Sequence, residues 1–184
     1  MARRKDFGFI GRLCLDFAQT GDMGWGAGYE RLTSPSELRR WFAVSPLAIA
    51  VAGVTNGDLA RAIRLRAAIW RIAQATLSRE RPRAADIRRL NIEAARPPLV
   101  RALTMDAKST RWRKPSVAAA LATIAQDAVM LFGDPRQRAR LHRCENAQCR
   151  VIFYDDSRPG TRRWCAPNRC GDRIRAREYR RRRA

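Results

Sequence analysis

The sequence predicts an α+β protein with a helix-rich N-terminal domain, which includes a small β-hairpin, and a compact cysteine-rich C-terminal module. Three observations predict this class. Apolar residues recur at helical spacing through much of 34–133, they alternate with polar residues near 100 and 110, and four of five cysteines lie within 144–170. With 184 residues, 46% of them hydrophobic, the chain can form one medium domain and one small one.

The chain before residue 80 is predicted to contain one short element of strand or helix and two longer helices. Residues 12–17 (RLCLDF) alternate well enough to form a strand, although a helix start also fits them. Ser34 is expected to cap a helix, with Pro35 at its first position. Residues 56–79 carry two apolar stripes, which predict a central helix packed on both sides.

The next elements lie between residues 84 and 135. A shorter helix is predicted over about 84–95, and residues 99–105 and 109–112 are typical of a β-hairpin. Pro115 is expected to open a further helix, which ends at a stop signal over 133–135. The apolar pattern of these elements predicts a hydrophobic core and does not by itself indicate a catalytic or binding site.

The distribution of charge marks a boundary between a domain of residues 1–135 and one of residues 136–184. The chain has 38 Lys+Arg against 17 Asp+Glu, a formal net charge of +21. Residues 136–184 carry 16 arginines and five acidic residues, which is about half of that net charge. Because arginine abundance can also reflect a GC-rich genome, this concentration indicates a polyanionic partner better than the total does.

Composition also excludes several classes of protein. The single histidine, His142, excludes multi-histidine metal and acid–base sites. The longest apolar stretch, residues 42–54, is shorter than the roughly 20 residues that a membrane span needs. The basic start of the chain is not followed by the uninterrupted apolar segment of a secretory signal. We therefore expect a cytoplasmic protein with no membrane partner.

Four cysteines have the spacing of a metal site. Four residues separate the members of each pair, and fifteen separate the pairs: Cys144, Cys149, Cys165, Cys170. Two such pairs can surround a tetrahedral ion, and four thiolates favour one structural zinc. Disulfides, an iron–sulfur cluster and a redox-active pair are disfavoured alternatives, since nothing suggests an oxidising compartment and the spacing fits neither cluster nor redox motif.

The residues around these cysteines predict a treble-clef-like finger. Residues 150–153 can form one strand, 155–160 a polar turn, 161–164 the returning strand and 171–183 a final helix. A module of this size has too little core to fold alone, so the ion is expected to supply the missing stability.

The same segment carries further residues at fixed positions around the cysteines. They read Cys144-x4-Cys149-x3-Phe153-x-Asp155-x-Ser157-Arg158, then Arg162-Arg163-Trp164-Cys165, then Cys170-Gly171-Asp172-Arg173. This pattern resembles the CGNR zinc-finger family, with Asp172 where that family usually has asparagine. Upstream, Leu13-x-Leu15-Asp16-Phe17-x-x-Thr20 and the helices that follow resemble the ABATE domain, with Gln19 where asparagine is usual. The resemblance implies a bacterial, stress-linked transcription regulator with a DNA-binding finger and a ligand-sensing N-terminal domain.

Arginines of the finger are the candidate contacts to double-stranded DNA. Arg173, Arg177 and Arg180 would share one face of the last helix, which can enter a major groove where arginine reads guanine. Hairpin arginines would hold phosphates. The full candidate set is Arg158, Arg162, Arg163, Arg169, Arg173, Arg175, Arg177, Arg180 and Arg181. A solvated arginine surface, or a protein or lipid partner, is the alternative.

Other functions remain open at this point. An RNA-binding or ribosome-associated finger is one alternative, although few aromatic residues are available to stack on bases. An enzyme in the N-terminal domain is another, with Asp16, Asp22 and Glu30 as its carboxylates, but it lacks a histidine and a phosphate loop. We expect no enzyme. Asp16 and Trp25 are candidate contacts for a small-molecule effector, and the chain is a candidate homodimer.

Overall fold

The computed structural model describes residues 7–22 and 29–183 and confirms the α+β class. It has a helix-rich N-terminal region and two small antiparallel sheets. In chain order the elements are α1 (Leu13–Ala18), α2 (Pro35–Val44), α3 (Asn56–Ser78), α4 (Ala84–Ala94), β1 (Val100–Leu103), β2 (Thr110–Arg113), α5 (Val117–Gly133), α6 (Pro135–Arg138), β3 (Leu141–Arg143), β4 (Ile152–Tyr154), a π-helical turn (Pro167–Gly171) and α7 (Asp172–Arg183).

Side-chain caps set where the longer helices begin. The Ser34 hydroxyl accepts a hydrogen bond from the Glu37 amide, which confirms the predicted start of α2. Thr55 begins α3 with a capping box. Helix α5 begins at Val117 rather than at Pro115, because Ser116 is its cap.

The strand interpretation of residues 12–17 is wrong, because this segment forms α1. Cys14, Leu15 and Phe17 are all buried, so the segment has no solvent-facing side to alternate with. The Asp127 carboxylate of α5 accepts a 2.9 Å hydrogen bond from the Cys14 amide and satisfies the start of the helix. The backbone groups of a helix hydrogen-bond to one another, whereas a strand over residues 12–17 would need a neighbouring strand as its partner. Strand β4 is not available for this, because it pairs with β3.

The main core surrounds α3 and α5. Leu65 and Ile69 of α3 are fully buried, as are Leu121 and Ile124 of α5. Leu65 and Ile69 belong to one of the two predicted stripes of α3, and the other stripe, with Leu59, Trp70 and Leu77, is half-buried and packs against this core. This confirms the prediction of a helix with neighbours on both sides. Their close packing makes this region the framework on which the remaining elements are held.

The two sheets agree only partly with the predicted hairpins. Strands β1 and β2 form the expected hairpin. In the finger, however, β4 pairs with β3, and the predicted returning strand over 161–164 is not formed. The reason is Asp155, whose buried carboxylate accepts from the amides of Ser157 (2.9 Å) and Arg162 (2.7 Å). These bonds turn the chain immediately after β4, so its partner must come from upstream.

The β3–β4 hairpin joins the finger to the N-terminal region. Leu141 and Ile152 belong to the main core, whereas Phe153 belongs to a second cluster that contains Val151, Cys144 and Cys170, with the other two cysteines packed against it. Ile10 packs against both clusters. Within residues 7–22 and 29–183, no helix is long and apolar enough to cross a membrane.

Candidate metal centre

Four cysteine sulfurs converge at one point beside the β3–β4 hairpin. The Sγ atoms of Cys144, Cys149, Cys165 and Cys170 all lie within 4.8 Å of one another. Two of the separations, Cys149 to Cys165 and Cys165 to Cys170, are 3.7 Å. Zinc–sulfur bonds of about 2.3 Å in a tetrahedron place sulfurs about 3.8 Å apart, whereas a disulfide would need about 2.05 Å. The cysteines are therefore positioned to bind one metal ion.

Two tight turns position the cysteines. Cys144 follows β3, and its amide donates to the Val151 carbonyl across the hairpin. The Asn146 carbonyl accepts from the Cys149 amide at 2.7 Å, and its side chain accepts from the Gln148 amide. Cys170 lies in the π-helical turn that opens α7, so the fourth sulfur is fixed to the start of the last helix.

The crowding of four thiols determines which of them ionise. A hydrogen bond from Cys165 lowers the pKa of Cys149 to about 5, against the effect of burial. The same bond, together with burial, raises the pKa of Cys165. Burial raises the pKa of Cys144 to about 11. A divalent cation would remove this mutual repulsion and release the remaining protons, which is the chemistry that a thiolate metal site requires.

Aromatic residues form the apolar side of the cluster. Phe153 is fully buried, and Trp164 packs beside the cysteines. Gly171 comes very close to Trp164, since a Cβ at Gly171 would lie 3.3 Å from the indole Cε3 atom. This Cβ would also lie 3.2 Å from the Arg175 guanidinium, so both neighbours would have to shift slightly to admit a side chain directly after the fourth cysteine.

Asp155 fixes the loop between the two pairs of cysteines. Burial would raise the pKa of this carboxyl, but hydrogen bonds from the Ser157 hydroxyl and from the amides of Arg162 and Ser157 lower it to about 2. Asp155 is therefore ionised in the folded protein. The sequence pattern contained Asp155 but did not reveal this role, and Asn146 was missed altogether.

The candidate DNA-binding arginines divide into two groups by their contacts. Arg162 is directed inward, to Asp156, the Tyr154 carbonyl and the face of Phe153. Arg163 pairs with Glu145, Arg175 pairs with Asp172, and Arg177 donates to the Gln148 side chain. The others are exposed and make no ion pair within the part of the chain that the structure describes: Arg158, Arg169, Arg173, Arg180 and Arg181.

Of the two candidate effector contacts, the structure describes Asp16 alone. Asp16 is 1% exposed, and its carboxylate accepts a 2.6 Å hydrogen bond from the Ile10 amide. Burial raises the pKa of Asp16 to about 7, with a smaller contribution from Asp127. Trp25 lies outside the described residues. An effector role for either residue stays a prediction.

Comparison with known families agrees with this geometry. Residues 140–183 match the CGNR zinc finger, which identifies the ion that the four cysteines are positioned to bind as a single structural zinc. Residues 11–135 match ABATE, a family described as "Putative stress-induced transcription regulator". Among curated proteins, none matches the chain. Because the ABATE match covers more than half of the chain, the chain belongs to the ABATE family, and residues 140–183 form a CGNR zinc finger.

Proposed function

We propose that this protein is a zinc-dependent transcription regulator that binds double-stranded DNA through the exposed arginines of its finger. The observation that carries the proposal is helix α7. It has no buried residue, and seven of its twelve residues are arginines: Arg173, Arg175, Arg177, Arg180, Arg181, Arg182 and Arg183. Ile174 is the one residue of α7 that is half-buried, so the helix gains little from packing on its own protein, whereas a polyanion would neutralise its charge.

The dimensions of α7 suit the major groove. Twelve residues give a helix about 18 Å long and 10–12 Å across with its side chains, and the major groove is about 12 Å wide. Arg173 and Arg177, four residues apart, would face base edges together, where arginine forms paired hydrogen bonds to guanine. Arg158 and Arg169, which lie outside the helix, would contact phosphates and set its register.

Zinc would support this contact without taking part in it. Cys144, Cys149, Cys165 and Cys170 would hold the ion, whose structural role is to tie the hairpin to the start of α7. The finger extends over residues 136–184 in this proposal. Residues 1–135 would sense an effector or form a homodimer. The β3–β4 hairpin, which packs against both domains, would transmit a conformational change from one domain to the other.

Contacts in the N-terminal domain favour a regulator over an enzyme. Glu30, one of the three candidate catalytic carboxylates, forms an ion pair with the buried Arg66. Asp16 is buried in the core. Both groups therefore have structural partners, and the families matched by the chain are described as a regulator and a zinc finger.

Binding to random duplex DNA and to single-stranded RNA, with and without a chelator, tests the proposal. We expect tighter binding to the duplex, and loss of that binding when zinc is removed. If about six arginines contact phosphates, log affinity should fall against log salt with a slope near −5. A slope near −1, or equally weak binding to both nucleic acids that chelation leaves unchanged, would contradict the proposal. Zinc-dependent preference for RNA would favour the RNA-binding alternative.

A further inference from the structure

The β1–β2 hairpin carries a second concentration of positive charge, far from the finger in sequence. Five basic side chains lie in residues 100–114, and all are exposed: Arg101, Lys108, Arg111, Arg113 and Lys114. They include two of the three lysines of the chain, and Asp106 is the single acidic residue of the segment. The hairpin therefore has a strong positive charge of its own.

These basic residues differ from three arginines of α3 that are held by carboxylates. Arg61, Arg66 and Arg71 of α3 are each paired with a carboxylate. Within residues 7–22 and 29–183, none of the five hairpin residues forms an ion pair. Asp106 is occupied inside the turn, where its carboxylate accepts from the Thr104 hydroxyl and the Lys108 amide. The charge of the hairpin is thus left available to a partner.

Large apolar residues are exposed on the same hairpin. Val100 is 52% exposed, Leu103 is 61% exposed, and Met105 near the tip is 98% exposed. Two-stranded ribbons fit the major groove, and minor-groove proteins combine basic residues with leucine or methionine wedges between base steps. A basic ribbon with an apolar tip has the composition that duplex DNA accepts.

The base of the hairpin is anchored to the protein body. The Trp112 indole donates a 2.7 Å hydrogen bond to the Leu47 carbonyl, and the Leu99 amide donates to the Thr123 hydroxyl of α5 at 2.9 Å. Arg101 stacks over the Trp112 ring at 4.0 Å. The ribbon is therefore held in one orientation, which lowers the entropic cost of binding.

We propose that the β1–β2 hairpin is a second contact to duplex DNA, with Arg111 and Arg113 on its phosphates. The inference rests on the proposed function, since it adds a contact to the same partner. Arg113 and Arg111 lie opposite Val100 and Ala102, so both arginines project from one face of the ribbon. Helix α5, which follows the hairpin in the chain and precedes the finger, is 17 residues and so about 25 Å long, and we expect the two contacts to contribute independently.

The double substitution R111Q/R113Q, in the zinc-loaded full chain, tests this contact. Since each phosphate contact contributes about 0.9 to the salt slope, we expect the slope to become less steep by about 2 and the affinity near 0.1 M salt to fall at least about tenfold. The matched control is R64Q/R88Q, which removes from α3 and α4 two exposed arginines that form no ion pair with any residue the structure describes. We expect this control to change the salt slope and the affinity for duplex DNA less than R111Q/R113Q does. Zinc content and melting temperature should stay at wild-type values in both variants.

Three outcomes separate this inference from the proposed function. If wild-type protein does not bind the duplex, the proposed function fails and the inference fails with it. If R173Q/R177Q weakens binding but R111Q/R113Q behaves like its control, the finger binds DNA and the inference is wrong. If R111Q/R113Q abolishes binding to phosphatidylglycerol vesicles and leaves duplex binding unchanged, the hairpin binds lipid, which also overturns the inference. If the variant that combines R111Q/R113Q with R173Q/R177Q loses as much binding free energy as the two double variants together, the two contacts are independent, as we propose.

Discussion

At the scale of single residues, Asp155 is a buried charged group that fixes the path of the chain in the finger. Its carboxylate is buried, accepts two backbone amides and turns the chain after β4. Hydrogen bonds to a charged group contribute about 1.5–3 kcal/mol each. One side chain therefore decides where the loop between the cysteine pairs begins.

Replacing Asp155 with asparagine should destabilise the zinc-loaded protein by about 2 kcal/mol at pH 7, since an amide has one acceptor oxygen for two amides. Because the pKa of Asp155 is lowered to about 2, its contribution is present above pH 3.8 and is lost as pH falls through 2. The difference in urea unfolding should thus stay constant between pH 7 and pH 5. Asp156→Asn, a change of the exposed neighbour, is the control, and equal stability of both variants would refute the role.

Asp16 should have the opposite pH dependence. Its raised pKa of about 7 means that the neutral form suits the folded state, so stability is greatest below pH 3.8 and falls as pH rises through 7. The groups that face it are the Ile10 and Gly11 amides and the Asp127 carboxylate. Asp16→Asn keeps an acceptor for Ile10 and removes the ionisation.

The expected result for Asp16→Asn is a gain in stability over wild type that grows between pH 5 and pH 8, to about 4 kcal/mol at most. Urea unfolding at the two pH values measures it. A variant that is less stable than wild type at both values would show that Asp16 is not strained by its charge. Glu80→Gln, at an exposed position two residues after α3, provides the control.

At the scale of elements, α7 depends on its neighbours at one end only. The π-helical turn ties its start to Cys170, and Arg177 reaches the Gln148 side chain at 3.0 Å. Beyond these contacts and the half-buried Ile174, α7 is exposed. A substitution on its surface should consequently affect binding more than folding.

Arg173→Ala and Arg177→Ala should each weaken duplex binding and reduce the salt slope by about 0.9, with zinc content unchanged. The reason is that each removes a cation from one face of α7 and neither side chain touches a cysteine. Glu178→Gln on the same helix should strengthen binding slightly, because it removes a negative charge. Release of zinc by either arginine variant would make these residues structural.

The elements also show which sequence signals are reliable. Caps and apolar periodicity placed α2 to α5 within a few residues, since a helix is specified by groups close together in the chain. The strand assignments at 12–17 and 161–164 failed. Strand formation depends on a partner that is distant in sequence, and here β3 took the place of the predicted partner.

At the scale of the whole molecule, the finger shares its apolar packing with the N-terminal domain. Ile152 belongs to the main core, while Val151, the preceding residue, belongs to the cysteine cluster. Adjacent residues of one segment thus point to different cores, as strand geometry requires. The β3–β4 hairpin therefore contributes side chains to the core of each domain.

Ile152→Ala should lower the stability of both domains by about 2–5 kcal/mol, because it leaves a cavity in the core that they share. Hydrogen exchange of α3 and α5 amides, together with the rate of zinc release, measures both effects. Val151→Ala is the matched control and should accelerate zinc release alone. Independent behaviour, with unchanged exchange in α3 and α5 for Ile152→Ala, would show that the domains are uncoupled.

Features that depend on short-range spacing could be predicted from the residues alone: the four cysteines of the zinc site, the capped start of α2 and the concentration of arginine after residue 135. Tertiary structure alone decided which strand pairs with β4, that Asp16 is a buried core group, and which arginines are paired and which are exposed. The physical reason is distance along the chain. Ligand spacing and caps involve residues a few positions apart, whereas burial and ion pairing depend on residues that only folding brings together.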